Sequence, residues 1–206
     1  MPLNGRRAQA ARNDELILTA ARAVFAADPS APISAVAERA GVGISALYRR
    51  SASKEDLLRR LCADAVRRYN AEAAAALSDA GDRWGVFCRF MHRVVAADLY
   101  ALTLRLAGTF TPDPPLRQAA LRAQELSTRL FERTKAAGAI RADVVLDDIA
   151  LIFEQLTAVR FGDEHRTRRL RERCLALTLD ALRPNRSGPL PGPPPAREEI
   201  TRHWET

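Results

Sequence analysis

The sequence predicts an all-α protein of about nine helices, a three-helix N-terminal unit followed by a larger helical domain, and two observations carry this. Alanine, leucine and arginine dominate the 206 residues while runs of β-branched residues are rare, a composition that favours helix over strand. Apolar residues recur at i, i+3, i+4 and i+7 in segment after segment, and no stretch sustains a period of two. With 47% hydrophobic residues, of which few are aromatic, the chain can bury a sizeable aliphatic core.

Residues 1–12 lack apolar periodicity and carry Arg6, Arg7 and Arg12, the profile of a flexible basic arm able to lie on phosphates or enter a minor groove. Asn13 or Asp14 caps a first helix with Ile17, Ala20, Ala21, Val24 and Phe25 on one face. Pro29 ends it by disfavouring helix at Asp28. Ser34 to Ala40, with Ser34 as N-cap, forms a second, short helix that buries Val36, Ala37 and Ala40. Gly41 supplies the left-handed residue that closes it, so Gly41-Val42-Gly43 is a tight turn with Val42 pointing inward. A third helix, Ile44 to Arg50, is anchored by Leu47 and leaves Ile44, Ser45, Tyr48 and Arg49 outward. This is a helix-turn-helix. An exposed isoleucine and tyrosine beside two arginines suit a DNA groove better than plain water.

Ser53-Lys54-Glu55-Asp56 is a capping box opening a long helix to about Leu77. Lys54 sits where the helix dipole favours anions, an arrangement that suits a phosphate held jointly by amides and lysine. A break near Gly81 precedes a strongly apolar helix from Arg83 to Leu106. Gly108 to Pro115 is a loop or short distorted helix, followed by a helix from Leu116 to Ala137 that Gly138 stops. Asp147 and Asp148 favour the start of a helix reaching Val159, with Ile149, Ile152, Phe153 and Leu156 in its stripe. The last helix, Glu164 to Leu182, has two apolar faces: Leu170, Cys174, Leu177 and Ala181 on one, Leu175, Leu179 and Leu182 on the other. Two faces exceed what one core requires, and burying the second against a copy of itself gives an isologous dimer. From Pro184 the chain holds six of its twelve prolines before Ala196, the composition of a disordered or polyproline tail. The expected organisation is an arm at 1–12, a helix-turn-helix domain at 13–60, a helical domain at 61–183 and a tail at 184–206.

The net charge of +7 is concentrated at the N-terminal end: residues 1–60 hold ten basic against six acidic residues, leaving 22 against 19 for the rest. Three widely spaced cysteines, Cys62, Cys88 and Cys174, fit buried thiols of a reducing cytosol rather than a disulfide framework. No long apolar run marks a membrane span or leader, so a cytoplasmic protein is expected. His92, His165 and His203 have no metal-ligand spacing, no CxxC pair occurs and no phosphate-binding glycine loop follows a strand. No enzyme, metal or cofactor is predicted.

The succession of ILTAARAVF, VAERAGVGISALYRR and SASKEDLL resembles the TetR family of transcriptional regulators. Ala20-Ala21, Phe25, Val36-Ala37, Ala40-Gly41-Val42, Leu47-Tyr48, Ser53-Lys54-Glu55 and Leu57 carry the likeness, within residues 14 to about 60. The resemblance implies a homodimeric repressor released from a palindromic operator by a small, largely apolar effector. It implies DNA contacts from Ser34, Gly43, Ile44, Ser45, Ala46, Tyr48, Arg49 and Lys54, with Tyr48 and Lys54 on phosphates. It further implies an effector pocket among the central helices, for which Phe87, Met91, His92, Phe110 and Phe131 are candidates, with Asp98, Tyr100 or Glu154 as polar contacts. Dimerisation through the last two helices assigns Ile152, Leu156, Leu170, Cys174, Leu177 and Ala181 to the interface. Two residues depart from the family pattern: Ser51 replaces a phenylalanine, and Gly43 stands at a usual serine or threonine N-cap. The alternative is a helical adaptor of the same fold that has lost effector or operator binding.

Overall fold

A computed structural model describes residues 3–106, 108–184 and 188–201, and every regular element among them is helical. In order these are α1 (Leu3–Ala27), α2 (Ile33–Ala40), α3 (Ile44–Tyr48), α4 (Lys54–Ser78), α5 (Arg83–Ala96), α6 (Leu99–Leu106), α7 (Pro114–Ala136), α8 (Leu146–Ala158), α9 (Glu164–Leu182) and α10 (Arg197–Thr201). The N-terminal unit packs Ile17, Ala21 and Phe25 of α1 with Val36, Ala37, Leu47, Leu57 and Leu61. α4 belongs to both halves. Its start closes the N-terminal core, while further along Tyr69 donates to or accepts from Ser127 of α7 at 2.7 Å and Asn70 donates to the Ala119 carbonyl. Arg133 of α7 then donates to the Ala76 and Leu77 carbonyls at 2.6 Å, placing a cation on the negative end of the α4 dipole.

Helix starts follow local chemistry. Asp82, Asp113 and Asp163 accept the amides of Gly85, Leu116 and Arg166 as N-caps of α5, α7 and α9. Asp113 lets α7 begin on Pro114 and Pro115, two residues ahead of the expected Leu116, because proline at the first helical positions lacks only amides that would be unpaired there. At α4, Ser53 Oγ accepts the Asp56 amide at 3.1 Å and the Asp56 carboxylate accepts from the Ala52 amide, one residue before the cap. Ser53→Ala is expected to lower stability by about 1 kcal/mol in urea unfolding; an unchanged midpoint contradicts the cap.

Four expectations need correction. α1 runs back to Leu3, so residues 3–12 extend the helix instead of forming an arm; alanine, arginine and glutamine are good helix formers. Met1 and Pro2 lie outside the described residues, as do the side chains of Arg6 and Arg7. The N-cap of α2 is Pro32, which offers no side-chain acceptor, and Ser34 sits exposed in the first turn. The predicted helix from Arg83 to Leu106 is two helices, broken where Asp98 takes the left-handed φ of 53°. The tail from Pro184 folds back in part. Arg141 and Asp143 form a two-point ion pair whose outer atoms take the Gly188 carbonyl and the Leu190 amide, and Ile200 of α10 is buried. Arg141 and the Leu190 amide hold the Asp143 carboxyl well below the usual carboxylate range.

Candidate nucleic-acid interface

The turn before α3 is built by two backbone bonds. The Val42 amide donates to the Ala37 carbonyl at 3.0 Å and Gly41 to Glu38 at 3.1 Å, the Schellman pair. Gly41 closes it at a φ of 65° that disfavours any side chain. Gly43 caps α3 in an extended conformation with no side-chain bond. A Cβ added there meets nothing within 4 Å, so glycine is not demanded by space. α3 ends at Tyr48 rather than Arg50.

Leu47 is the one fully buried side chain of α3. Because the helix is pinned on that side, Ile44 (41% exposed), Ser45, Tyr48 (49% exposed) and Arg49 lie on the outer surface, with Ala46 half-buried. Six of the eight sequence-predicted DNA residues therefore cluster on one short helix and its two caps, Gly43 and Arg49. Ser34 stands apart in the first turn of α2. Lys54 is half-buried: its Nζ donates to the Ser30 carbonyl at 2.9 Å and lies 5.3 Å from the Phe25 ring centre. It thus ties α4 to the loop between α1 and α2. In that loop the Ser30 hydroxyl and amide bond Asp28, and with the Lys54 charge they hold the Asp28 carboxyl below its ordinary range.

The predicted effector residues do not converge. Phe87, Met91 and Phe131 are fully buried in the packed core, His92 is exposed, and Phe110 is half-buried in the loop before α7. Phe87, Met91 and Phe131 pack within the common apolar core. Among the described residues a cavity of about 10 Å³ lies elsewhere, lined by Val94, Asp98, Tyr100, Phe153, Thr157 and Arg171 among others. Asp98 and Tyr100 are among the expected polar contacts, whereas no local sequence signal marks Phe153 or Arg171 for this cavity. Tyr100 stacks on Phe153 with ring centres 5.1 Å apart. The Arg171 side chain, 12% exposed, donates to Asp98 Oδ1 at 2.8 Å and to the Thr157 and Val159 carbonyls, which holds the α5–α6 break against α9.

Among the candidate dimer residues, Leu156 belongs to the protomer core, and Ile152 and Cys174 pack partly against it. Leu177 is 64% exposed, Ala181 is exposed and Leu170 half-buried, while Leu175, Leu179 and Leu182 fill the protomer's own interior. α9 thus has the two apolar faces expected of it. The cysteines carry no disulfide, and burial pushes the Cys62 thiol up to about 12, which makes it a packing residue. Among the described residues no group of three or more histidine, cysteine or acidic side chains could hold a metal, and no helix is long and apolar enough to cross a membrane.

Residues 17–61 match the family model of bacterial regulatory proteins, tetR family. Solved structures of similar fold include a TetR transcription regulatory protein from Mycobacterium vanbaalenii, 27% identical, covering 86% of this chain and 99% of that one with a TM-score of 0.59. A TetR transcriptional regulator from Streptomyces coelicolor is 26% identical over 83% of this chain and 98% of that one, with a TM-score of 0.60. A gamma-butyrolactone receptor shares the fold at 21% identity, a TM-score of 0.63 and coverages of 96% and 95%. No curated protein matches the chain.

Proposed function

We propose that this chain, a TetR-family transcriptional regulator by its N-terminal domain and its fold, is a homodimeric cytoplasmic repressor that leaves a palindromic operator when a small, largely apolar molecule binds. The observation that carries the reading is the outer face of α3: two large apolar side chains and Arg49 are held out of the protein by the burial of Leu47. A helix presented this way enters a major groove end-first, with Ile44, Ser45 and Ala46 nearest base edges and Tyr48 and Arg49 towards the backbone. Gly43 allows the strand of DNA to approach the start of α3 closely, and Ser34 lies at the start of the supporting helix. Lys54 keeps two further ammonium donors beyond its bond to Ser30, which suits a phosphate at the α4 N-terminus.

The effector enters beside Tyr100, Phe153 and Arg171, where two stacked rings and a guanidinium line a small cavity at the α5–α6 break. The cavity there holds about one water, so an effector enters by favouring a conformation in which α5, α6 and α9 part. A dimer whose two α3 helices then stand at the wrong spacing loses the operator. A neighbour of the same fold being a gamma-butyrolactone receptor supports a small-molecule effector.

Purified protein is expected to shift a duplex enriched from the source genome in preference to random DNA, with affinity falling steeply as salt rises. A protein with no such preference is the adaptor alternative. Lys54→Met is expected to weaken binding to all duplexes alike and to reduce the salt slope by about 0.9. An unchanged slope removes Lys54 from the phosphate contacts and leaves it only its tie to Ser30.

A further inference from the structure

Two arginines beside the candidate interface are turned inward. Asp14 of α1 is ion-paired with Arg50, just past α3, and lies 3.6 Å from the Arg60 guanidinium of α4. Arg60 Nη1 donates to the Arg50 carbonyl at 2.5 Å and to Ser51 Oγ at 2.8 Å. Ser51 has no exposed surface, and its amide donates to the Leu47 carbonyl at 2.9 Å. A hydroxyl without water is costly unless bonded, and here the guanidinium supplies the bond.

We propose that Asp14, Ser51 and Arg60 form a polar lock that sets the orientation of α3, making them positioning residues for sequence preference that do not themselves touch DNA. The inference rests on α3 being the recognition helix. α3 has five residues, one buried side chain and no side-chain N-cap bond, so Leu47 pins its inner side while few other side chains resist a small roll about its axis. Arg60 grips the backbone at the far end of the helix and removes that freedom. Roll displaces Ile44 and Ser45 across the base edges, and base readout tolerates only small displacement. Asp14 meanwhile pairs with Arg50 and lies beside Arg60, drawing both guanidinium groups towards α1 and leaving the exposed Arg49 as the arginine of this segment that DNA meets.

The test uses a duplex enriched by the wild-type protein from a random 30-base-pair library, and a scrambled duplex of equal composition. Arg60→Met is expected to lower the ratio of enriched to scrambled affinity about 10-fold, the size of one disturbed base contact, while scrambled-duplex affinity and its salt slope stay as in the wild type. Arg60→Gln, which keeps a donor for the Arg50 carbonyl, recovers part of the ratio. Ser51→Ala, a mild change that retains the fold, lowers the ratio in the same direction. Asp14→Asn has the opposite signature on scrambled DNA: freed arginines raise its affinity and steepen its salt slope. In the DNA-free protein, amides of residues 47–52 exchange faster in the Arg60 and Ser51 variants.

Equal loss on both duplexes with a shallower salt slope makes Arg60 a phosphate ligand and overturns the lock. So does an unaltered ratio in variants whose melting temperature alone falls. A wild-type protein without preference for any duplex sinks the DNA-binding reading and the role in specificity together, whereas full preference kept by the variants sinks only the lock.

Discussion

Leu177→Glu is expected to yield a monomer that has lost at least about 100-fold in operator affinity, because a half-site held by one protomer forfeits the effective concentration that linkage supplies. The side chain is 64% exposed on α9, so the substitution leaves the protomer's own core unaltered. In an isologous interface the change occurs twice and brings two carboxylates into one desolvated patch. Light scattering reads the mass and a mobility shift reads the operator. A dimer of normal mass moves the interface away from this face of α9.

Leu47→Ala is expected to cost about 2–5 kcal/mol, the range for truncating a buried leucine, and to abolish preference for the operator. Leu47 is the sole apolar anchor of α3 and is completely buried. Its carbonyl also takes the amides of Arg50 and Ser51, so a shift of this residue carries the following turn with it. The loss is local: hydrogen exchange in α2 and α3 rises while α7 and α9 keep their protection. Retained operator preference with a stability change below about 0.5 kcal/mol, the range of an ordinary surface substitution, contradicts the assignment.

The helix-turn-helix was legible because its determinants are local. The Gly41 turn pairs residues three and five apart, and the Ser53 cap pairs residues three apart. Leu47 inward and Ile44, Ser45, Tyr48 and Arg49 outward followed from helical periodicity, and so did the two faces of α9. The departures at Gly43 and Ser51 were visible as residue types, but their meaning was not. Gly43 stands in open space. Ser51, where the family pattern has phenylalanine, is completely buried and bonded to Arg60.

The features that sequence reasoning misplaced depend on partners far along the chain. Asp98 breaks one expected helix into α5 and α6 while paired with Arg171, 73 residues away. Arg50 is drawn from the surface by Asp14 across 36 residues, and the tail is tied at Leu190 to Asp143 across 47. A pocket is not legible for a related reason: periodicity tells which face of a helix is apolar, not whether facing side chains leave a void between them. Helix identity, caps and the outward face of α3 are thus properties of nearest turns, where both partners lie within a few residues and loop closure costs little. The break at Asp98, the lock at Ser51 and the site of the cavity were decided by tertiary packing, because only the folded chain brings their partners within bonding distance.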